Sequence, residues 1–138
     1  MFSKIIVPVD LAHESKLTKS LKCAAELARH FKIPVVYAGV TGTSPTEVGK
    51  TPEDYANQLA EFANSQGATE GIETTHHAII SHDPRVELDS KLISAAEELG
   101  ADLFVMEGHI PNVLDHLIPS DGGKIASHAK VSVMVVRD

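Results

Sequence analysis

The sequence predicts an α/β domain in which a parallel sheet is buried between two layers of helices. Three observations predict it. Runs of strand length near residues 4–10, 33–40, 102–106 and 131–136 are mostly apolar, and the first is a nearly continuous β-branched run, as expected of strands covered on both faces. Between them, apolar residues recur at three- and four-residue steps, the period of a helix with one buried stripe. The two patterns take turns along the chain, which a parallel sheet joined by right-handed crossovers requires. With 138 residues, 43% of them hydrophobic, the chain suits one domain spanning 1–138 with a core of ordinary size.

Each element has a local reason. Lys4-Ile5-Ile6-Val7-Pro8-Val9-Asp10 is the first strand, and Pro8, which cannot donate to a ladder, should finish it. A helix over about 14–31 follows, with Leu17, Leu21, Ala24, Ala25 and Ala28 on one stripe. Residues 33–40 read as the second strand, with Pro34 at its start. Gly42, Pro45 and Gly49 then mark a connection. Thr51-Pro52-Glu53-Asp54 opens the second helix: Thr51 caps, Pro52 takes the first position, and acids sit in the positive first turn. That helix turns Tyr55, Leu59, Phe62 and Ala63 inward and should stop before Gly67. Residues 71–81 are a third strand, less apolar and therefore placed at a sheet edge. Asp83-Pro84 repeats the cap-then-proline device for a helix through Leu88, Leu92, Ile93, Ala96 and Leu99, closed by Gly100. The fourth strand is 102–106, residues 107–120 form a polar, turn-rich loop, a short helix starts at Asp121, and 131–136 is the last strand. No internal repeat or low-complexity tract interrupts this order.

The charge balance excludes several classes of function. A net charge of −7 opposes general binding to nucleic acid or to anionic membranes, since both need positive surface. Six of the twelve Lys and Arg fall at or before Lys32, which makes the first helix the one candidate basic patch, with a solvated helix face as the simpler account. One cysteine, Cys23, rules out an internal disulfide, fits a reducing cytoplasm and reads as a small packed side chain. No signal peptide is expected ahead of the first strand, and no apolar run approaches the roughly 18–20 residues that span a bilayer.

Residue chemistry offers few catalytic or metal-binding sets. His76 and His77 are adjacent in a strand and point to opposite faces. His109 and His116, with Glu107, Asp115 and His82, could converge on a metal, but without a tight ligand spacing no metal site is assigned. A Ser120–His109–Asp10 set could be drawn across the strand ends, yet there is no nucleophile elbow and no Cys–His signature, so no enzymatic activity is expected. Met106 and Met134 sit in strand runs and read as core.

Five segments in order resemble the universal stress protein family: residues 4–10, the Ala-rich first helix, Asp83-Pro84, residues 95–106, and His128-Ala129 followed by Val133-Met134-Val135-Val136-Arg137. The resemblance implies a doubly wound, five-stranded parallel sheet in the order 3-2-1-4-5, Rossmann-like, with two helices on each face. It sets the ends of the first and fourth strands around a switch-point crevice, where such folds bind ligands. It also implies a homodimer in which the last strands of two copies pair antiparallel, with Val131, Val133 and Val135 at the seam. An apolar edge strand there would need covering on physical grounds alone.

Nucleotide-binding members of that family follow the fourth strand with Gly-x-x-Gly, nine residues, then Gly and Ser or Thr. Here Glu107 and Ile110 stand at the first two glycine positions, Pro119 or Ser120 at the third, and Ser120 is the trailing hydroxyl. Left-handed backbone at Ile110 would cost about 1–2 kcal/mol. Pro111 and Pro119 remove N–H donors, and Glu107 adds negative charge where phosphates would lie. Gly108 is one residue out of step, and Gly122-Gly123-Lys124 lacks the hydroxyl and the earlier glycine of a Walker loop. By resemblance, Asp10 and Val40 match the positions that contact base and ribose, although Asp10 capping the first helix explains it equally. The candidate ligand positions are thus Val9, Asp10, Val40, Met106, Glu107, Gly108, His109 and Ser120, with ATP or AMP as candidate ligands. The expected function is a cytoplasmic, homodimeric stress-response or regulatory module that binds a protein partner without tight ATP binding. The alternatives are an adenine-nucleotide sensor at the same crevice and, third, a nucleotide hydrolase.

Overall fold

A computed structural model describes residues 1–43, 50–107 and 130–137. Its order is β1 (Ile5–Pro8), a 3-10 helix (Leu11–Leu17), α1 (Thr18–Phe31), β2 (Val35–Thr41), α2 (Pro52–Glu70), β3 (Thr74–Ile80), α3 (Pro84–Leu99), β4 (Leu103–Glu107) and β5 (Ser132–Val136). All strand pairs are parallel and the sheet runs β3-β2-β1-β4-β5, the doubly wound order expected. The helix expected from Asp121 lies outside the described residues.

The helical layers follow from the strand periodicity. Tyr37 stacks edge-on against Phe62 of α2, with ring centroids 5.3 Å apart, and Arg29 of α1 pairs with Glu70 of α2 at 3.0 Å, so α1 and α2 share one face. His77 and Ile79, one residue out of step with Thr74, share a cleft with Ser94 and Ala95 of α3 on the other face. Ile5, Ile6, Tyr37 and Phe104 are among the largest wholly buried side chains, and Leu59 and Leu92 press in from the two helical layers. The amino end of β1 is tied to β4 through Asp102: its carboxylate accepts from Ser3 N–H at 3.0 Å, Ser3 Oγ–H at 3.1 Å and Lys4 N–H at 3.1 Å.

Several sequence expectations are corrected. The first helix is not one α-helix from residue 14. The Asp10 carboxylate accepts the Ala12 N–H at 3.1 Å, so the chain starts coiling at the strand end as a 3-10 helix, and α-geometry begins at Thr18. α2 does not stop before Gly67; it continues to Glu70 and closes on left-handed Gly71, whose N–H donates to Gly67 O at 2.9 Å. Gly67 serves closeness instead: a Cβ there would stand 2.6 Å from Thr74 Oγ1, which donates to Ala63 O at 2.7 Å. Asp83 does not cap α3 with its side chain. Glu87 instead reaches back out of the first turn, accepting from Ser81 Oγ–H at 2.9 Å and from the Asp83 N–H at 3.2 Å. β4 extends one residue further than expected, so Glu107 is a strand residue rather than the start of the loop. Met134 is not core: it is 38% exposed, with Sδ 3.6 Å from Cys23 Sγ.

Candidate functional site

The site is built at the carboxyl ends of the central strands. β1 and β2 pair up to Pro8 and Ala38, while the pairing of β1 with β4 covers only Ile5–Leu103 and Ile6–Phe104, short of both carboxyl ends. Crossovers leave β1 and β4 toward opposite edges, which opens a crevice at this switch point.

On the β1 side, Val9 is buried and its N–H donates to Ala38 O at 2.8 Å, so its side chain belongs to the core. Asp10 is half-buried with extended backbone, and its carboxylate caps the 3-10 helix. The capping role is therefore real and leaves the residue at the crevice. On β2, Val40 is half-buried and faces away from α2, because Gly39 and Thr41 face toward it. Thr41 accepts Ser81 N–H at 2.9 Å, which ties the β2 end to the β3 end. Hydrogen bonds from Ser81 and then Asp83 hold the Glu87 carboxyl below its usual range.

Tyr55, which sequence reasoning assigned to the core, is also a wall of this region. Its ring crosses the backbone of Gly39, where a Cβ would collide with the hydroxyl and the ring. Burial foremost, and then the charge of Asp10, push its phenol up, so the hydroxyl keeps its proton beside that carboxylate. The signal was present: a glycine inside an otherwise β-branched strand marks a close approach.

On the β4 side, Met106 is 1% exposed and its side chain is core. Glu107 is also 1% exposed, and neither of its carboxyl oxygens has a hydrogen-bond partner among the described residues. Buried polar atoms are nearly always partnered, so this pair is the chemically unfinished feature of the crevice. Gly108, His109 and Ser120 lie outside the described residues, as do Ile110, Pro111, Pro119 and His116. Among the described residues no group of three or more His, Cys, Asp or Glu could hold a metal. Beside the turn after Asp10, a separate cleft of about 550 Å³ runs between the 3-10 helix and α2, with Leu11, Glu14, Glu61 and Phe62 in its lining.

β5 pairs with β4 and forms the sheet edge. Val131 and Val133 are half-buried against the core, whereas Met134 and Val135 are 38% and 36% exposed. The exposure of large apolar side chains on this edge strand falls on consecutive residues, one on each face. Burial, then the charge of Glu26, raise the Cys23 thiol despite nearby Lys19, which suits packing rather than nucleophilic chemistry. No helix among the described residues is long and apolar enough to cross a membrane.

The family model described as "Universal stress protein family" matches residues 1–137. Universal stress protein G of Shigella flexneri is 27% identical over 148 aligned positions, covering 99% of this chain and all of that protein. Among solved structures, a universal stress protein in complex with cAMP superposes with a TM-score of 0.69 at 16% identity, covering 98% of this chain and 97% of the other. The universal stress protein of Archaeoglobus fulgidus in complex with dAMP superposes with a TM-score of 0.65 at 22% identity, covering 96% of each chain.

Proposed function

The chain belongs to the universal stress protein family, and from that premise we propose that it is a stress-response module acting by binding rather than by turnover. In this reading it pairs with a second copy through β5, engages a protein partner, and admits an adenine ligand to the crevice between Asp10 and Glu107 without gripping a triphosphate. The free, half-buried Cys23 supports a reducing compartment, and we assign the protein to the cytoplasm.

Glu107 carries the proposal. A carboxyl group fills the strand-end position where a phosphate loop would begin, and it is buried rather than turned to solvent. A facing phosphate charge at 4 Å would be opposed by about 1 kcal/mol in water and about 4 at an effective dielectric of 20. That range removes roughly one to three decades of affinity. The adenine half of the reading is supported by Asp10 at the matching strand end and by relatives of the same fold whose structures hold cAMP and dAMP. Titration calorimetry with Mg-ATP, run beside a phosphate-release assay, tests it. The expected result is ATP binding no tighter than about millimolar and no phosphate release. Micromolar ATP affinity, or steady release, would overturn it.

A further inference from the structure

Resting on the reading that this protein engages a partner, we propose that the partner docks in the groove between α1 and α2, where the 3-10 helix forms the wide end. The segment it presents there is a basic amphipathic helix.

The groove follows from how the two helices are tied. Glu70 joins them at one end, receiving Lys22 at 3.2 Å and Arg29 at 3.0 Å. Toward the other end they leave two clefts that meet at Glu14 and Phe62. One, of about 360 Å³, lies beside the Glu70 clamp, and the other, of about 550 Å³, lies beside the 3-10 helix. The groove opens on the helical layer rather than between the strand ends. Its floor is apolar: Phe62 and Leu11 are half-buried, and Leu21 continues it beneath α1. Along α2 its wall takes Gln58, Glu61, Ser65 and Glu70 from one face, while Leu59 and Ala63 turn into the core. From Gln58 to Glu70 that wall runs about 18 Å at 1.5 Å per residue, enough to meet about three turns of a docked helix.

Charge decides what kind of helix fits. α2 carries Glu53, Asp54, Glu61 and Glu70 and no Lys, Arg or His, in a chain of net charge −7. Glu70 has its cations already, and Lys22, which also lines the groove, is engaged by it. At the wide end, Glu14 of the 3-10 helix and Glu61 of α2 are exposed on opposite walls. Among the described residues neither is in an ion pair. An acidic helix would be repelled there, and an uncharged one would meet the floor but not the rims. A helix whose apolar stripe is flanked by Lys or Arg fills the floor and reaches both acids.

The test is fluorescence anisotropy of the full chain with three labelled peptides of about 18 residues, long enough to form a helix. One is an amphipathic Leu/Lys helix, the second has the same composition scrambled so that no apolar face forms, and the third is an amphipathic Leu/Glu helix. Salt of about 0.15 M screens general attraction to the acidic chain beyond roughly 8 Å. The wild type should bind the amphipathic Leu/Lys peptide in the micromolar range and the other two at least about tenfold more weakly. Glu61→Lys should weaken the Leu/Lys peptide several-fold, and the double variant Glu14→Lys with Glu61→Lys at least about tenfold. Glu97→Lys makes the same charge change at an exposed site on α3, in the other helical layer, and should leave affinity within about twofold. Thermal melts establish that each variant is folded; if the double variant is not, Glu61→Lys decides. No saturable binding of the Leu/Lys peptide, equal binding of its scrambled form, or unchanged affinity in the folded groove variants overturns the groove as the docking surface. Each of those outcomes leaves the binding-module reading standing. That reading falls separately, by steady phosphate release from ATP, which the peptide titration does not measure.

Discussion

Gly67 shows how a residue's apparent meaning can be reversed by what crosses it. A glycine late in an amphipathic run reads as a helix stop, yet α2 passes through it and ends at Gly71. The reason is in the neighbouring strand: Thr74 Oγ1 would lie 2.6 Å from a Cβ at position 67, and that hydroxyl is held by Ala63 O. Two effects of opposite sign follow for Gly67→Ala. Alanine is the better helix former by about 1 kcal/mol. Against that, displacing a hydrogen-bonded, half-buried hydroxyl costs about 1–3 kcal/mol, and the Ile72 carbonyl at 3.1 Å leaves little room on the other side. The second effect should win, so the urea midpoint of Gly67→Ala should fall, by an amount equivalent to about 1 kcal/mol. In a Thr74→Ala background the obstructing hydroxyl is gone, and the same substitution should be neutral or stabilising. Destabilisation of equal size in both backgrounds would locate the cost elsewhere.

At the scale of elements, most start and stop chemistry was legible, and the exceptions have a common cause. Thr51 caps α2 as expected, accepting Asp54 N–H at 3.0 Å, and Gly100 closes α3 in left-handed backbone at φ 72°. Both act within one turn, where sequence neighbours are the only competitors. Asp83 makes no side-chain cap to α3; Glu87 reaches back to the Asp83 N–H and to Ser81, which Thr41 fixes at the β3 end, a contact that the sequence did not announce. α1 ends on left-handed Lys32, a position with no glycine to announce it. The Asp102 latch was equally hidden, since Ser3 and Asp102 are joined only once β1 and β4 are neighbours. Burial pushes the Asp102 carboxyl up, but the hydrogen bonds from Lys4 and Ser3 outweigh it and hold it below its usual range. A carboxyl whose folded value is depressed contributes its full stability above the unfolded value near 3.9 and loses it as pH falls through the folded value. Asp102→Ala should therefore cost about 1.5 kcal/mol at pH 7, the low end for hydrogen bonds to a charged group, since the site is partly exposed. The gap between wild-type and variant melting temperatures should close below about pH 4. A gap that stays constant from pH 7 to pH 3 would show that the latch works by packing rather than by charge.

At the scale of the whole molecule, strand alternation made the α/β class legible, while the 3-2-1-4-5 order came with the family resemblance and the structure bears it out. The site was legible only in outline. A crevice flanked by Asp10 and Glu107 was anticipated, but the sequence placed Glu107 at the start of a polar loop, and its burial as the last residue of β4 emerged only from the structure. The same geometry bears on assembly. β5 is the sheet's edge, and Met134 and Val135 expose apolar surface on its two faces while Val131 and Val133 brace it against the core. An apolar strand in that position is a template for another strand, and a two-fold axis would satisfy two such edges at once by antiparallel pairing. Light scattering after size exclusion should give twice the 14.8 kDa chain mass at micromolar concentration. Val135→Lys is the informative variant, because a residue already 36% exposed in the isolated chain can carry a charge without disturbing the fold, whereas two lysines meeting at a seam repel. The expected outcome is a monomer with an unchanged far-ultraviolet circular dichroism spectrum. A wild-type monomer, or a Val135→Lys protein that remains fully dimeric, would remove β5 as the seam and leave its exposed methionine and valine to another partner.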